Sequence, residues 1–103
     1  MIEITEKGAI AFELRAESAS VVELVGDFDG WDEQSRPMHR ESDSVWRLVL
    51  DPGPGVYLFR YRIDDHQWRL DDASHGIITT WDGIVKSRVF RPGFEYVMTS
   101  LAA

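Results

Sequence analysis

Two runs with a period of two, joined by Pro52-Gly53-Pro54-Gly55, constrain this chain more than any other feature. Before the turn, residues 45–51 (VWRLVLD) alternate, with Trp46, Leu48 and Leu50 on one face. After it, residues 56–63 (VYLFRYRI) put Tyr57, Phe59, Tyr61 and Ile63 on one face and Val56, Leu58, Arg60 and Arg62 on the other. Successive side chains of an extended strand point to opposite faces. An aromatic inner face and a basic outer face therefore predict a half-buried strand of an antiparallel sheet. Proline and glycine between the two runs predict the turn of a hairpin.

The rest of the chain repeats this grammar. Residues 9–16 (AIAFELRA) alternate, with Ile10, Phe12, Leu14 and Ala16 on one face. Residues 21–26 predict the next strand, which breaks at Gly26 into the loop Asp27-Phe28-Asp29-Gly30-Trp31. Asp and Gly favour tight turns and positive φ. Phe28 is expected to anchor this loop inward and so hold Trp31 on a rigid support. Residues 31–37 carry little periodicity, and Met38 with the polar residues 39–44 leads into the central hairpin. Asp64-Asp65-His66 turns the chain, and residues 67–70 return it with Trp68 just past the corner. Residues 71–83 read as a long irregular connection containing Trp81. The last clear strand is residues 85–90, where Ser87 and Val89 oppose Lys86, Arg88 and Phe90. No segment carries a helical stripe. Six or seven short strands, with turns about every ten residues, predict an all-β fold: an antiparallel β-sandwich of immunoglobulin-like architecture.

A length of 103 residues suits one domain, with its core at about residues 9–91. Residues 92–103 are expected to add an edge strand or to form a tail, and an apolar edge there would invite pairing into a homodimer. The Met1 start reads as that of an intact gene product. No apolar run approaches the length of a membrane span, and no signal peptide opens the chain. The lack of cysteine removes disulfides and thiolate metal sites and suits a cytoplasmic protein. A formal charge of −7 argues against nucleic acid but not against a neutral polymer. His39, His66 and His75 fall in separate segments without ligand spacing, so neither a metal nor another cofactor is expected. Catalysis has little support: there is no Ser-His-Asp or P-loop pattern. The adjacent Asp71 and Asp72 would point to opposite faces of an extended segment, which does not suit a glycosidase pair.

The order GDFDGW, PM, VWRLVLDPGPGVYLFRYRID and a following Trp resembles the family-48 carbohydrate-binding module over residues 9–91. This is the isoamylase early-set domain of glycogen-branching and debranching enzymes. It is also similar to the glycogen-binding domain of the AMP-activated protein kinase beta subunit. The resemblance implies an early-set sandwich that binds α-1,4-linked glucans such as glycogen and starch, alongside a glycogen-metabolising enzyme. It implies a site in which Trp31 and Trp68 stack on sugar rings, Arg60 stands where the family usually has Lys, and Lys86 occupies the position of an Asn. Gly83 matches a glycine ahead of the last strand.

Three departures accompany the match. Lys86 has no acceptor oxygen to offer a sugar hydroxyl. The turn before Trp68 lacks the family's Asp-Gly. Trp81 lies in a variable loop, where it would add a third ring or cover the core. The alternative is a domain of the same fold without glucan binding, acting as a protein interaction or scaffold module.

Overall fold

The computed structural model describes residues 1–29 and 32–93. The chain runs through β1 (Ile2–Ile4), β2 (Ile10–Arg15), β3 (Val22–Gly26), β4 (Gln34–Pro37), β5 (His39–Arg40) and β6 (Val45–Leu50). It continues through β7 (Gly55–Ile63), β8 (Gln67–Arg69), β9 (Ile77–Thr79) and β10 (Val85–Arg91). One sheet has the order β1-β2-β6-β5; the other has β4-β3-β7-β10-β9, with β8 also paired to β7. Every pairing among them is antiparallel. This is the all-β, immunoglobulin-like sandwich that the alternation predicts.

Between the sheets lie Ile10, Phe12 and Leu14 of β2, Val22 and Leu24 of β3, and Trp46 of β6. Tyr57, Phe59, Tyr61 and Ile63 of β7 complete the centre, with Val89 of β10. Phe59 meets Phe12 edge-on at 5.0 Å and Tyr61 edge-on at 5.7 Å between ring centres. Such pairs add about 0.5–1.5 kcal/mol each beyond their burial. The Tyr61 hydroxyl donates to Asp71 Oδ2 at 2.6 Å, and the Asp71 amide donates to Ser87 Oγ at 2.8 Å. Asp71 therefore orders the segment after Trp68 from inside the sandwich, where both it and Ser87 are buried.

Four strands and one turn depart from expectation. The Pro52-Gly53-Pro54-Gly55 turn closes no hairpin: β6 pairs with β2 and β5 in one sheet and β7 with β3, β8 and β10 in the other, so the turn carries the chain across the sandwich. Residues 2–4 pair with β2, residues 34–37 with β3, residues 39–40 with β6, and residues 77–79 with β10 inside the stretch expected to be irregular. Each of these strands lies at or near a sheet edge. Residues 34–37, 39–40 and 77–79 carry mostly exposed side chains, so no inward-outward alternation marks them. Residues 2–4 do alternate, with Ile2 and Ile4 packed on the core and Glu3 exposed, but the run is only three residues long. The expected terminal edge strand and the dimer built on it concern residues 94–103, which lie outside the described residues.

The nine-residue β7 positions everything that follows. One edge pairs with β3, from Phe59 to Ile63. The other is shared by two strands: β10 pairs with Gly55–Phe59, and β8 takes over at Tyr61–Ile63. Arg60 sits at this fork, opposite Val25 of β3 and between the ends of β10 and β8.

Candidate functional site

The outward face of the larger sheet carries the residues that the sequence singles out. Because Tyr57, Phe59, Tyr61 and Ile63 of β7 point inward, Arg60 and Arg62 point outward. On β10, buried Ser87 and Val89 put Lys86 on that same outer face. Trp68 stands directly across from Arg62 in the β7–β8 pairing, which places it there too.

A glycine-free turn delivers Trp68. Asp64 and Asp65 both adopt positive φ, 51° and 65°, and the His66 amide donates to the Ile63 carbonyl at 3.2 Å. Asp tolerates the left-handed region better than most residues with a Cβ. The Asp64 carboxylate also accepts the amides of Ser20 and Val21 at 2.8 and 2.9 Å, tying this corner to the β2–β3 connection. These bonds hold the carboxyl below the ordinary Asp range, with Val21 the larger contributor. The missing glycine is thus replaced by an anchored aspartate.

Arg60 sits over the Trp68 ring. Its guanidinium carbon is 3.6 Å from the centre of the indole, while that of Arg62 is 5.5 Å away. One face of Trp68 is therefore covered, yet the residue keeps 42 % of its surface exposed. Arg62 is held in turn by Glu23, through Nε at 3.1 Å and Nη2 at 3.0 Å, and Ser35 also donates to that carboxylate. The Arg62 bond, then that of Ser35, keeps Glu23 below the ordinary Glu range. A row Ser35–Glu23–Arg62–Trp68 thus crosses four strands.

The second row contains a residue that sequence reasoning does not pick out. Glu33, just before β4, places Oε2 at 3.1 Å from Lys86 Nζ and Oε1 at 3.9 Å from Arg60 Nη2. Its signal is weak, since it is one of several acids among residues 27–33. The loop that carries it is pinned at both ends. Asp27 Oδ1 accepts the Leu58 amide at 2.9 Å, Gln34 donates to Asp29 at 2.8 Å, and Phe28 is buried as expected. Trp31 lies outside the described residues.

Trp81 is brought to neither row. It occupies the tip of the β9–β10 hairpin, where the Gly83 amide closes the turn onto the Thr80 carbonyl at 2.9 Å, and it is 98 % exposed. Of its two expected roles, it does not cover the core. An open cleft of about 490 Å³, lined by Glu13, Arg15, Arg69 and Asp72 among others, contains none of Arg60, Trp68, Lys86 and Trp81. Among the described residues no group of His, Asp and Glu has the arrangement of a metal site. No described helix is long and apolar enough to cross a membrane.

Comparison with known proteins agrees with this architecture. Residues 2–82 match the model of carbohydrate-binding module 48, described as the isoamylase N-terminal domain. The 1,4-alpha-glucan branching enzyme GlgB 2 of Xanthomonas campestris pv. campestris strain 8004 is 39 % identical over 49 residues, covering 48 % of this chain and 7 % of the enzyme. The branching enzyme GlgB of Novosphingobium aromaticivorans is 37 % identical over 67 residues, covering 61 % of this chain and 9 % of the enzyme. This chain thus spans less than a tenth of these relatives.

Among solved structures, the catalytic module of the pneumococcal glycogen-degrading virulence factor SpuA superposes with a TM-score of 0.68. That likeness has 16 % identity and covers 87 % of this chain and 16 % of that one. Apo pullulanase from Paenibacillus barengoltzii gives a TM-score of 0.61 at 20 % identity, over 84 % of this chain and 14 % of the pullulanase chain. Both structural likenesses speak to the fold. With four fifths of its length matched by the family model, this chain belongs to the carbohydrate-binding module 48 family.

Proposed function

We propose that this domain is a non-catalytic module for α-1,4-linked glucans. The carrying observation is the Trp68 indole, backed on one face by Arg60 at 3.6 Å and left part-exposed on the outer sheet face. An aromatic plane fixed in this way offers a flat apolar surface to the face of a sugar ring. Arg60 and Lys86 border it with donors for ring hydroxyls. Trp31 is assigned the second stacking ring, as the family resemblance implies, and Trp81 a peripheral contact at most. The family membership and the branching-enzyme relatives support the glucan as ligand, and they support a role beside a glycogen-metabolising enzyme in the cytoplasm.

A second reading is favoured by one observation. Ile77, Ile78, Val85 and Trp81 all expose apolar surface on the β9–β10 hairpin, at the edge of the larger sheet. An uncovered edge of this kind is a template for another chain, which suits a protein interaction module.

Titration with maltoheptaose and β-cyclodextrin, followed by heat and Trp fluorescence, separates the two. Glucan binding predicts saturation in the wild type and a loss of about fivefold or more in Trp68→Ala, since a stacked ring is worth about 1–3 kcal/mol. Trp31→Ala is expected to behave alike. Circular dichroism checks that each variant is folded. Absence of heat and of fluorescence change up to millimolar ligand rejects the glucan reading and leaves the interaction module.

A further inference from the structure

We propose that Arg60 and Lys86 form an anion subsite, and that the glucan taken up beside Trp68 carries a phosphate monoester. This inference rests on the glucan reading and sharpens its ligand. Both cations are drawn down onto the sheet, with side chains only 15 % and 13 % exposed. Burying a cation costs free energy unless it is paired. Among the described residues Glu33 is the carboxylate in ion-pair contact with both, short to Lys86 and long to Arg60, while Asp82 lies near enough to Lys86 to feel its charge but is engaged by the Thr80 hydroxyl. Among the described residues no acceptor reaches Arg60 Nε, which is itself buried.

The neighbouring pair shows what a completed site looks like on the same face. Arg62 gives Nε and Nη2 to Glu23, which further accepts from Ser35, so charge and donors are both balanced. Among the described residues Arg60 and Lys86 have one ion-pairing carboxylate between them and donors in excess. A phosphate monoester brings three acceptor oxygens and about −1.5 to −2 charges. It therefore satisfies two cations where one carboxylate does not. Lys86 strengthens the case, because an ammonium offers donors alone. A neutral sugar hydroxyl is better met by a group that both gives and accepts.

Glu33 acts in the free domain as an internal stand-in for the ligand's anion. It lies on the loop before β4 with its side chain a third exposed. An incoming phosphate displaces it without opening the core. The formal charge of −7 works in the same direction. It repels polyanions at large, so the subsite selects one phosphate on an otherwise neutral chain.

The test compares maltoheptaose with maltoheptaose bearing one 6-phosphate, in the wild type, Lys86→Asn and Glu33→Gln, with folding checked by circular dichroism. The expected wild-type preference for the phosphorylated sugar is about tenfold or more at low ionic strength, shrinking strongly at high salt as charges are screened. The ratio of the two affinities falls towards one in Lys86→Asn and rises in Glu33→Gln. Inorganic phosphate is expected to compete with the phosphorylated sugar, and much more weakly than that sugar binds. Equal binding of the two sugars by the wild type overturns the phosphate subsite and leaves the glucan face intact. Binding of the phosphorylated sugar alone supports the subsite while removing the neutral-glucan reading. Binding of neither overturns both.

Discussion

Phe28 packs so tightly beneath Gly26 that a Cβ on that glycine would stand 2.4 Å from Phe28 Cε2, and 3.0 Å from the Leu58 carbonyl oxygen. The glycine thus lets the loop bend back and drop its anchor into the core at the very end of β3. Gly26→Ala forces Phe28 out of place or bends the β3–β7 pairing. Overpacking of this kind costs about 1–3 kcal/mol. Urea unfolding of the variant is expected to show that loss. An unchanged midpoint would mean that Phe28 has room to move.

Asp71 is buried with two donors on Oδ2, the Tyr61 phenol and the Met1 N-terminal ammonium, each at 2.6 Å. Burial, and then the bond to Asp71, push the Tyr61 hydroxyl far above its ordinary range, so it remains a donor at any neutral pH. Tyr61→Phe keeps the ring and deletes that donor. Asp71 keeps the Met1 ammonium on the same oxygen and the Ala73 amide on the other, so the loss is that of one hydrogen bond to a charged group, about 1.5–3 kcal/mol. Chemical denaturation at pH 7 measures it.

Acid should weaken the fold in a defined way. Glu23 is held below the usual carboxylate range chiefly by Arg62 and then Ser35, Asp64 by the Val21 and Ser20 amides, and Asp82 chiefly by the Thr80 hydroxyl. A carboxyl that is more acidic when folded contributes stability that is complete above its unfolded pKa, about 4. That contribution is lost as pH falls through the lowered folded value. Denaturation midpoints are therefore expected to drop between about pH 5 and pH 2. Glu23→Gln should show a shallower slope over that window. A parallel slope would remove Glu23 from the account.

Arg60→Ala tests the backing of Trp68. A guanidinium stacked on indole is worth about 0.5–1 kcal/mol at an exposed site. Its removal frees the ring to turn and exposes its second face. The expected outcomes are a shift in tryptophan emission, absent in a Trp68→Ala background, and a fall of several-fold in glucan affinity. An emission spectrum identical to the wild type would mean that the sheet alone orients the ring.

The legible parts of this fold are those where burial imposes a period of two. The two strands flanking Pro52-Gly53-Pro54-Gly55 and the strand at Ile10 declared their inner faces because those faces fill the core. That the two flanking strands lie in opposite sheets and form no hairpin was illegible, since alternation marks a face and not a pairing partner. The strands at residues 34–37, 39–40 and 77–79 declared nothing, since an edge whose side chains meet solvent is under no such demand, and the alternation of Ile2, Glu3 and Ile4 was too short to read. At the site, the outward Arg60 and Lys86 followed from the same alternation, and Trp68 from the resemblance and its place after a turn. Glu33 was illegible for a different reason. Its partners lie 27 and 53 positions away, and only the three-dimensional register brings them together. Trp81 was left with two roles in sequence, and the hairpin tip removes one of them.

The fork along β7 has a consequence for folding. Residues 60, 68 and 86 reach one another only after three separate strands have met, and residue 33 joins from a fourth segment. A chain with β10 undocked has no site, because residue 86 is then not brought to residues 33 and 60. Whatever this face holds therefore binds the native state alone, and adds RT ln(1 + [L]/Kd) to its stability, about 2.7 kcal/mol at a hundredfold excess over Kd. Thermal shift by a sugar thus reports whether the sheet is whole, and the ligand becomes a proofreader of the fold that receives it.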